Sequence, residues 1–236
     1  VEIDHGAVLE AVLEDQAGQF NLNSVVMAPP GSGTAPAATA GLVANPTGVA
    51  QFETLLQALE LDRNYAARLV DWIDSDDQAT FPGGGEDSFY LALQPPHRVP
   101  NLPLTSISEL LAMGMDRASY DRLAPFVSAL PLNTKLNICT APGEELDAVA
   151  GERSFALDPK QLALQRQENA CFPYLSTFLG GLGAAQKVGL NIGTTSAYFR
   201  LRTWITIGTT RFTLYSLLNQ DQSGQIRPLL RTFGTE

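Results

Sequence analysis

The sequence predicts an α+β protein in which strands from both chain ends form one antiparallel sheet, with a large helical domain inserted between them. Three observations support this class. Apolar and polar residues alternate near the C-terminus, apolar residues recur at spacings of three and four in the middle, and a strand-like segment precedes that middle. Because isolated end strands would form marginally stable ribbons, one shared sheet is favoured over three loosely joined units, which remain the alternative.

The predicted domain boundaries follow changes in composition along the chain. Residues 1–48 are assigned to the first part of the sheet domain, residues 49–183 to the inserted helical domain, and residues 184–236 to the second part of the sheet domain. Residues 28–48 are rich in Ala, Pro, Gly, Ser and Thr, which is typical of a flexible connection.

The first segment predicts a β-hairpin. A turn signal at 15–18 separates residues 7–14 from residues 19–23, which alternate polar and apolar side chains as a strand does. Residues 7–14 are also rich in good helix formers, so a helix there remains open.

Two amphipathic helices begin the inserted domain. Apolar residues recur at helical spacing over 52–59 and 65–73, and Asp62 is a candidate cap for the second helix. Ser106 and Glu109 then have the spacing of a capping box.

Further helix signals follow along the insertion. Gly114 marks the end of the helix that begins near Ser106. A next helix is predicted from Tyr120 to Leu130, with a kink or restart at Pro125. The remaining signals are two N-caps, Thr140 and Asp158, and one helix stop, Gly151.

The C-terminal part predicts a three-stranded meander. Residues 197–207 alternate apolar and polar side chains, and a turn signal follows at 208–210. Two more strands are predicted at 211–218 and 225–233.

Composition limits the possible functions. With 236 residues and 44% hydrophobic content, the chain can bury a sizeable core. Its net charge of −10 disfavours a nucleic-acid partner, because binding phosphates needs a basic face. No stretch reaches the roughly 20 consecutive apolar residues of a membrane span, and no signal peptide is visible.

A cluster of acidic residues surrounds the glycine run at 83–85. No Lys, Arg or His occurs between positions 71 and 87. Two unit charges about 6 Å apart repel by roughly 3 kcal/mol near a protein surface, so a compact loop calls for a cation. Oxygen ligands on a flexible loop without His or Cys favour Ca²⁺. The candidate ligands are Asp71, Asp74, Asp76, Asp77, Glu86 and Asp87.

The loop does not follow the EF-hand pattern. With Asp74 at the first position, Ala79 falls at the glycine position and Gly85 falls where the bidentate Glu is needed. A solvated acidic loop that binds nothing is the alternative. The aromatic and apolar residues interleaved with the acids favour an ordered segment.

Two cysteines, Cys139 and Cys171, fit no metal-binding spacing. One disulfide and two buried free thiols are both compatible with the sequence.

Catalysis has little support in the sequence. His97 lies in a constrained Pro-Pro-His-Arg segment, and the chain contains no Gly-x-Ser-x-Gly nucleophile elbow. A lone His without a nucleophile motif is far more often structural than catalytic, so the chain is not expected to be an enzyme.

The order of several short motifs resembles the K-type minor pseudopilins of type II secretion systems, the GspK family. The resemblance covers most of the chain. Its motifs are EDQAGQFNLN at 14–23, RLVDWIDSD at 68–76, GGEDSFY at 84–90, PPHR at 95–98, NLPL at 101–104, SISEL at 106–110, PFV at 125–127 and LNICTA at 136–141.

The resemblance implies a fold, a site and a cofactor. The fold is a pilin-like antiparallel sheet with a large inserted helical domain, and the family catalyses nothing. The acidic loop of the insertion binds Ca²⁺, which makes the five matching carboxylates its ligands, whereas Asp71 lies in the predicted helix and can point away. The implied ligands are Asp74, Asp76, Asp77, Glu86 and Asp87.

The resemblance also implies a place of action. Family members cap the tip of the periplasmic pseudopilus in complex with I-type and J-type minor pseudopilins and support protein export. The major pseudopilin, the secretin and secreted proteins are further candidate partners. The setting is the periplasm of a Gram-negative bacterium, with an anchor in the inner membrane, and this oxidising compartment favours a Cys139–Cys171 disulfide.

Two departures from the family pattern matter. Cys139 replaces the Asn of the family's usual Asn-Thr-Ala segment, which strengthens the case for a bridge to Cys171. Family members begin with a long hydrophobic helix, whereas this sequence begins at Val1, so a truncated soluble fragment is expected. Two other functions remain open: a calcium-binding periplasmic interaction module, and a helix-hairpin-helix nucleic-acid binder suggested by residues 136–141.

Overall fold

The computed structural model describes residues 2–3, 7–29, 41–152, 154–187 and 189–233. The strands are β1 (Glu2–Ile3), β2 (Ala7–Asp15), β3 (Phe20–Asn21), β4 (Val26–Met27), β5 (Val43–Ala44), β6 (Val127–Ser128), β7 (Leu136–Asn137), β8 (Ile192–Gly193), β9 (Tyr198–Ile207), β10 (Thr210–Gln220) and β11 (Ile226–Phe233). The helices are α1 (Pro46–Ala58), α2 (Asn64–Ile73), α3 (Asp87–Tyr90), α4 (Glu109–Ala112), α5 (Arg117–Leu123), α6 (Gly143–Ala150), α7 (Pro159–Asn169), α8 (Leu175–Gly181) and α9 (Ala184–Lys187).

One antiparallel sheet joins both ends of the chain. Its strand order is β1-β2-β9-β10-β11, and Leu13 of β2 lies opposite Leu201 of β9. The C-terminal meander is present as predicted, since β10 pairs with both β9 and β11. The shared sheet with a helical insertion is therefore confirmed.

The predicted N-terminal hairpin is wrong. β2 pairs with β1 and β9, while β3 pairs in parallel with β6 of the helical region, and a 3₁₀ turn (Leu22–Val25) follows. The buried Asn23 side chain explains the difference, because its amide donates to the carbonyls of Leu104 and Leu130 at 2.9 and 2.8 Å. This segment is thus held by the insertion and is unavailable to β2.

Most helix signals in the insertion are confirmed. Asp158 caps α7 by accepting from the backbone of Gln161. Asp62 accepts from the backbone of Asn64, but it lies one residue before Arg63, the N-cap residue of α2. Gly114 and Gly151 have positive φ angles of 85° and 72° after α4 and α6, as helix stops require. Of the predicted capping box, Glu109 accepts from the backbone of Ser106, while the Ser106 hydroxyl accepts from Ser108.

Two helix predictions are wrong. α5 ends at Leu123, and Pro125 lies in a short 3₁₀ turn before β6, so no helix continues to Leu130. Pro142 rather than Thr140 precedes α6 as its N-cap residue, because the Thr140 hydroxyl donates to Asp15 instead.

Two apolar cores stabilise the helical region. The larger one packs α1 and α2 around fully buried residues such as Phe52, Leu56 and Leu69. The smaller one packs α6, α7 and α8, and a disulfide joins Cys139 and Cys171 beside it. The predicted disulfide is therefore confirmed.

One carboxylate at the end of β2 contacts both the insertion and the segment that leads into β9. Asp15, at the end of β2, accepts hydrogen bonds from Asn137 (3.0 Å), Thr140 (2.5 Å) and Ser196 (2.5 Å). These donors come from β7, from the turn before α6 and from the segment before β9. Three separated parts of the chain therefore meet at one side chain.

The predicted flexible connection at 28–48 lies partly outside the described residues. Within the described part, β5 pairs with β4 and α1 begins at Pro46. Among the helices of the described residues, none is long and apolar enough to cross a membrane.

Candidate metal centre

The candidate site forms where α2 ends. Asp71 lies in the last turn of α2, and Asp74 follows as the C-cap, with its backbone N–H donating to Val70. Both carboxylates thus lie at the negative end of the helix dipole, which raises the free energy of their charged forms.

The glycine run wraps tightly around Asp71. The Asp71 carboxylate accepts from the backbone N–H groups of Thr80 at 3.0 Å and Gly85 at 2.7 Å. A Cβ atom on Gly84 would overlap Asp71 Oδ2 and lie 2.5 Å from the Thr80 carbonyl oxygen. Glycine is therefore needed at position 84 to let the loop approach the carboxylate.

Three carboxylates converge inside this loop. Asp71, Asp74 and Glu86 each offer one oxygen, and the three oxygens lie within 4.8 Å of one another. Their side chains are buried, with exposures of 0%, 4% and 7%. Asp74 Oδ1 and Glu86 Oε1 have no hydrogen-bond partner among the described residues. Buried charged oxygens without partners are strongly unfavourable unless a proton or a cation compensates them.

The pKa values of the three carboxylates are raised, as their burial and their closeness to one another require. Burial, followed by repulsion from Asp76, Asp71 and Glu86, raises the pKa of Asp74 to about 7. Burial and repulsion from the neighbouring carboxylates likewise raise the pKa of Glu86 to about 7. Burial raises the pKa of Asp71 as well, although its hydrogen bonds with Thr80 and Gly85 oppose the shift.

The other three predicted ligands lie elsewhere in the loop. Asp76 and Asp77 are exposed, and Asp76 accepts from the backbone of Gln78 at 2.9 Å. Asp87 accepts from the backbone of Val99 and pairs with Arg98 at 3.4 Å. The structure thus brings Asp71, Asp74 and Glu86 together as a group, whereas Asp76 contributes charge from the loop surface.

The donor set fits a hard cation. Carboxylate and backbone oxygens are the ligands that Ca²⁺ prefers, and the loop between Asp74 and Glu86 offers several more oxygens. Asp71, which the family resemblance made the least favoured ligand, is the most deeply buried member of the group.

An aromatic cluster packs beside the carboxylates. Trp72 and Tyr90 make an edge-to-face contact with ring centroids 5.1 Å apart, and the Tyr90 hydroxyl is buried without a partner among the described residues. Both ring nitrogens of His97 lie 3.0 Å from backbone carbonyl oxygens, of Pro95 and Ala112. These contacts give His97 a structural role in holding the loop after α3.

Sequence reasoning missed part of this site. The backbone donors of Thr80 and Gly85 were not predicted, and the glycine run was the signal for them. The burial of Asp71 was also missed, because the helical pattern alone does not reveal that a later loop folds over the helix end.

The chain is similar to a known protein family and to individual proteins within it. The family model of the type II secretion system protein K matches residues 18–132. A protein K from Pseudomonas aeruginosa is 32% identical over 99% of this chain, and one from Klebsiella pneumoniae is 33% identical over 76%. This chain spans 67% and 53% of the lengths of those two relatives.

A solved structure has the same fold. It is the crystal structure of the GspK-GspI-GspJ complex from the type 2 secretion system of enterotoxigenic Escherichia coli. The match has a TM-score of 0.76 and 27% sequence identity, and it covers 97% of this chain and 80% of that chain.

A sheet shared by both chain ends, interrupted by a helical insertion with a carboxylate cluster, defines the class as a pilin-like protein with an inserted domain. Within that class, the chain belongs to the type II secretion system protein K family.

Proposed function

We propose that this chain is the periplasmic part of a minor pseudopilin that caps the tip of the type II pseudopilus together with I-type and J-type partners. The observation that carries the proposal is the likeness, over 97% of the chain, to a structure in which GspK is in complex with GspI and GspJ. The role is structural, in support of protein export, and not catalytic.

The position of the insertion supports a capping role. The whole helical region is inserted between β2 and β9, which are neighbours in the sheet. Its bulk therefore emerges from one connection of the sheet domain. A filament grows by stacking similar domains, so this bulk would obstruct a further subunit above it.

The exposed side chains of the sheet offer a test of where partners bind. Leu13 of β2 is 60% exposed, and Leu157 of the insertion is 76% exposed. If partners bind mainly through the sheet domain, Leu13→Asp should weaken capture by the immobilised soluble domains of the I-type and J-type proteins. Leu157→Asp is the matched control and should leave capture unchanged. Equal capture of both variants and the unmodified chain would contradict this interface.

We further propose that the acidic loop binds Ca²⁺ and thereby holds the insertion in shape. Asp71, Asp74 and Glu86 would supply the buried oxygens, and Asp76, Asp77 and Asp87 complete the candidate ligand set. The two buried oxygens without partners support this proposal. A bound cation would compensate the repulsion within the cluster.

Calcium binding can be tested by thermal unfolding of metal-stripped protein. Calcium at 100 times its dissociation constant should add about 2.7 kcal/mol, which raises the melting temperature by several degrees. Asp74→Asn should reduce that gain, whereas Glu168→Gln, at an exposed position of α7, should retain it. Identical melts in calcium and in chelator would refute the proposal.

A further inference from the structure

One arginine lies between the two segments that carry the cysteines. Arg166 lies in the last turn of α7, four residues after Leu162, which is buried in the smaller core. Residues four apart share a face of a helix, so Arg166 lies on the side of α7 that packs against this core. Its side chain is accordingly half-buried beside the disulfide.

The guanidinium donates to carbonyl groups on both sides of the disulfide. Its Nη2 donates to the carbonyls of Ile138 at 2.9 Å and Ala141 at 2.7 Å, and its Nε donates to the carbonyl of Phe172 at 2.9 Å. Ile138 directly precedes one cysteine, and Phe172 directly follows the other. The Cα atoms of the two cysteines lie 4.5 Å apart, within the range that a disulfide needs. One side chain therefore fixes the backbone next to both sulfur atoms.

The charge of Arg166 is compensated by these carbonyls and not by an acid. Burial lowers the pKa of the Arg166 guanidinium, and no carboxylate of the described residues opposes that shift. A partly buried cation without an ion partner is unfavourable unless hydrogen bonds satisfy its donors. The rigid planar fork of arginine can reach several acceptors at once, whereas the single ammonium of lysine cannot span them in the same way. The arrangement therefore favours arginine at this position.

The Cys139 side of the disulfide is also connected to the sheet. The backbone N–H of Cys139 donates to Asn137 Oδ1 at 3.0 Å. The amide of Asn137 in turn donates to Asp15, at the end of β2, and to Ser196, before β9. The disulfide thus joins the end of α7 to the junction between the insertion and the sheet.

We propose that Arg166 is a positioning residue for the disulfide between Cys139 and Cys171. In the reduced and folded chain, its three hydrogen bonds hold the two thiols close together. The disulfide can therefore form after folding, and it is difficult to reduce in the native chain. This inference does not depend on the proposed role at the pseudopilus tip.

Glutathione disulfide is a suitable oxidant for this step. The thiolate of one cysteine attacks a glutathione sulfur, the glutathione S–S bond breaks, and one glutathione leaves and takes up a proton. The thiolate of the other cysteine then attacks the mixed disulfide, and the second glutathione leaves and takes up a proton. Two cysteine thiols are thus oxidised to a disulfide, while one glutathione disulfide is reduced to two glutathione thiols.

Equilibration of the reduced chain with mixtures of glutathione and glutathione disulfide tests the proposal. Acid quenching and mass spectrometry give the ratio of the disulfide form to the dithiol form, and hence the equilibrium constant of the exchange. Arg166→Met keeps an unbranched side chain but loses every donor, so the reduced segments can separate. We expect the constant to fall about tenfold, the effect of one hydrogen bond to a charged group.

Two further variants and one change of solvent separate positioning from general stabilisation. Arg166→Lys keeps the charge but reaches fewer carbonyls, so its constant should lie between those of Arg166→Met and the unmodified chain. Lys160→Met removes an exposed cation from the same helix and should leave the constant unchanged. In concentrated urea, where the chain is unfolded, all variants should have the same constant.

Thermal melts of the reduced chains show which of them are folded, and Arg166→Lys decides the outcome if Arg166→Met does not fold. The proposal is overturned if the folded Arg166 variants keep the constant of the unmodified chain, because the arginine then stabilises both redox forms equally. It is also overturned if the reduced, unmodified chain does not melt cooperatively. Failure of both Arg166 variants to fold would overturn it as well, because the core itself would then need the arginine.

Discussion

At the scale of single residues, Gly84 has no room for a side chain where the acidic loop packs against Asp71. Gly84→Ala would place a methyl group against Asp71 Oδ2 and the Thr80 carbonyl, so the loop must move away from the cluster. We expect a loss of about 1–3 kcal/mol in the free energy of unfolding, together with weaker calcium binding. Urea unfolding and calorimetric titration measure the two effects.

The control for this change is Gly180→Ala. Apart from the nearby backbone of its own helix, α8, no atom of the described residues lies within 4 Å of a Cβ at Gly180, so alanine there should be neutral or slightly stabilising. Equal stability of Gly84→Ala and the unmodified chain would mean that the loop is not packed against Asp71 as described.

The buried carboxylates predict an unusual pH dependence. The folded pKa values of Asp74 and Glu86 are about 7, well above their ordinary values of about 4. A raised folded pKa means that these groups favour folding below pH about 4 and that this contribution is lost as pH rises through about 7. Metal-free protein should therefore lose stability between those limits.

Urea midpoints of metal-stripped protein, measured at several pH values between about 5 and 8, test this expectation. Asp74→Asn should flatten the dependence, and the difference between it and the unmodified chain isolates this carboxylate. Calcium should reverse the trend, because protons compete with the ion for the same oxygens. A metal-free midpoint that rises with pH, with no change in slope in Asp74→Asn, would contradict the assignment.

At the scale of secondary-structure elements, Asp15 connects the sheet to the insertion. Asp15→Ala would leave Asn137, Thr140 and Ser196 without their common acceptor. Hydrogen bonds to a charged group contribute about 1.5–3 kcal/mol each, so we expect a total loss of roughly 3 kcal/mol or more. Urea unfolding can be followed separately in the sheet and in the insertion. Different unfolding midpoints in the two parts would show that Asp15→Ala has uncoupled their unfolding.

Asp221→Ala is the control for Asp15. Asp221 also accepts several hydrogen bonds, but from its own exposed turn at Ser223 and Gln225. Its loss should affect only that turn. If both substitutions have the same small effect, Asp15 does not hold the two parts together.

Elements with a strong local signal could be predicted from the sequence. The helices at 46–58 and 64–73 follow from their apolar spacing, and Asp158 and Gly151 mark helix ends through local backbone chemistry. The prediction of an N-terminal hairpin was wrong because residues far away in the sequence decide which strands pair. Residues 19–23 read as a strand, but the bonds of Asn23 to the insertion fix where they lie.

At the scale of the whole molecule, the acidic loop could be located from charge alone, but its arrangement could not. The six carboxylates, with no Lys, Arg or His between positions 71 and 87, predicted where the acidic loop lies. Which three converge depends on how residues 80–85 fold over the end of α2, and no local pattern encodes that approach.

The central claim is that this chain ends a filament instead of extending it. Light scattering coupled to size exclusion, on this chain mixed with the soluble domains of the I-type and J-type proteins in calcium, tests it most directly. The account predicts one discrete complex with one copy of each protein, and at unequal mixing ratios only the excess component is found beside it. An open-ended distribution of masses, or no association at concentrations of about tens of micromolar, would contradict it.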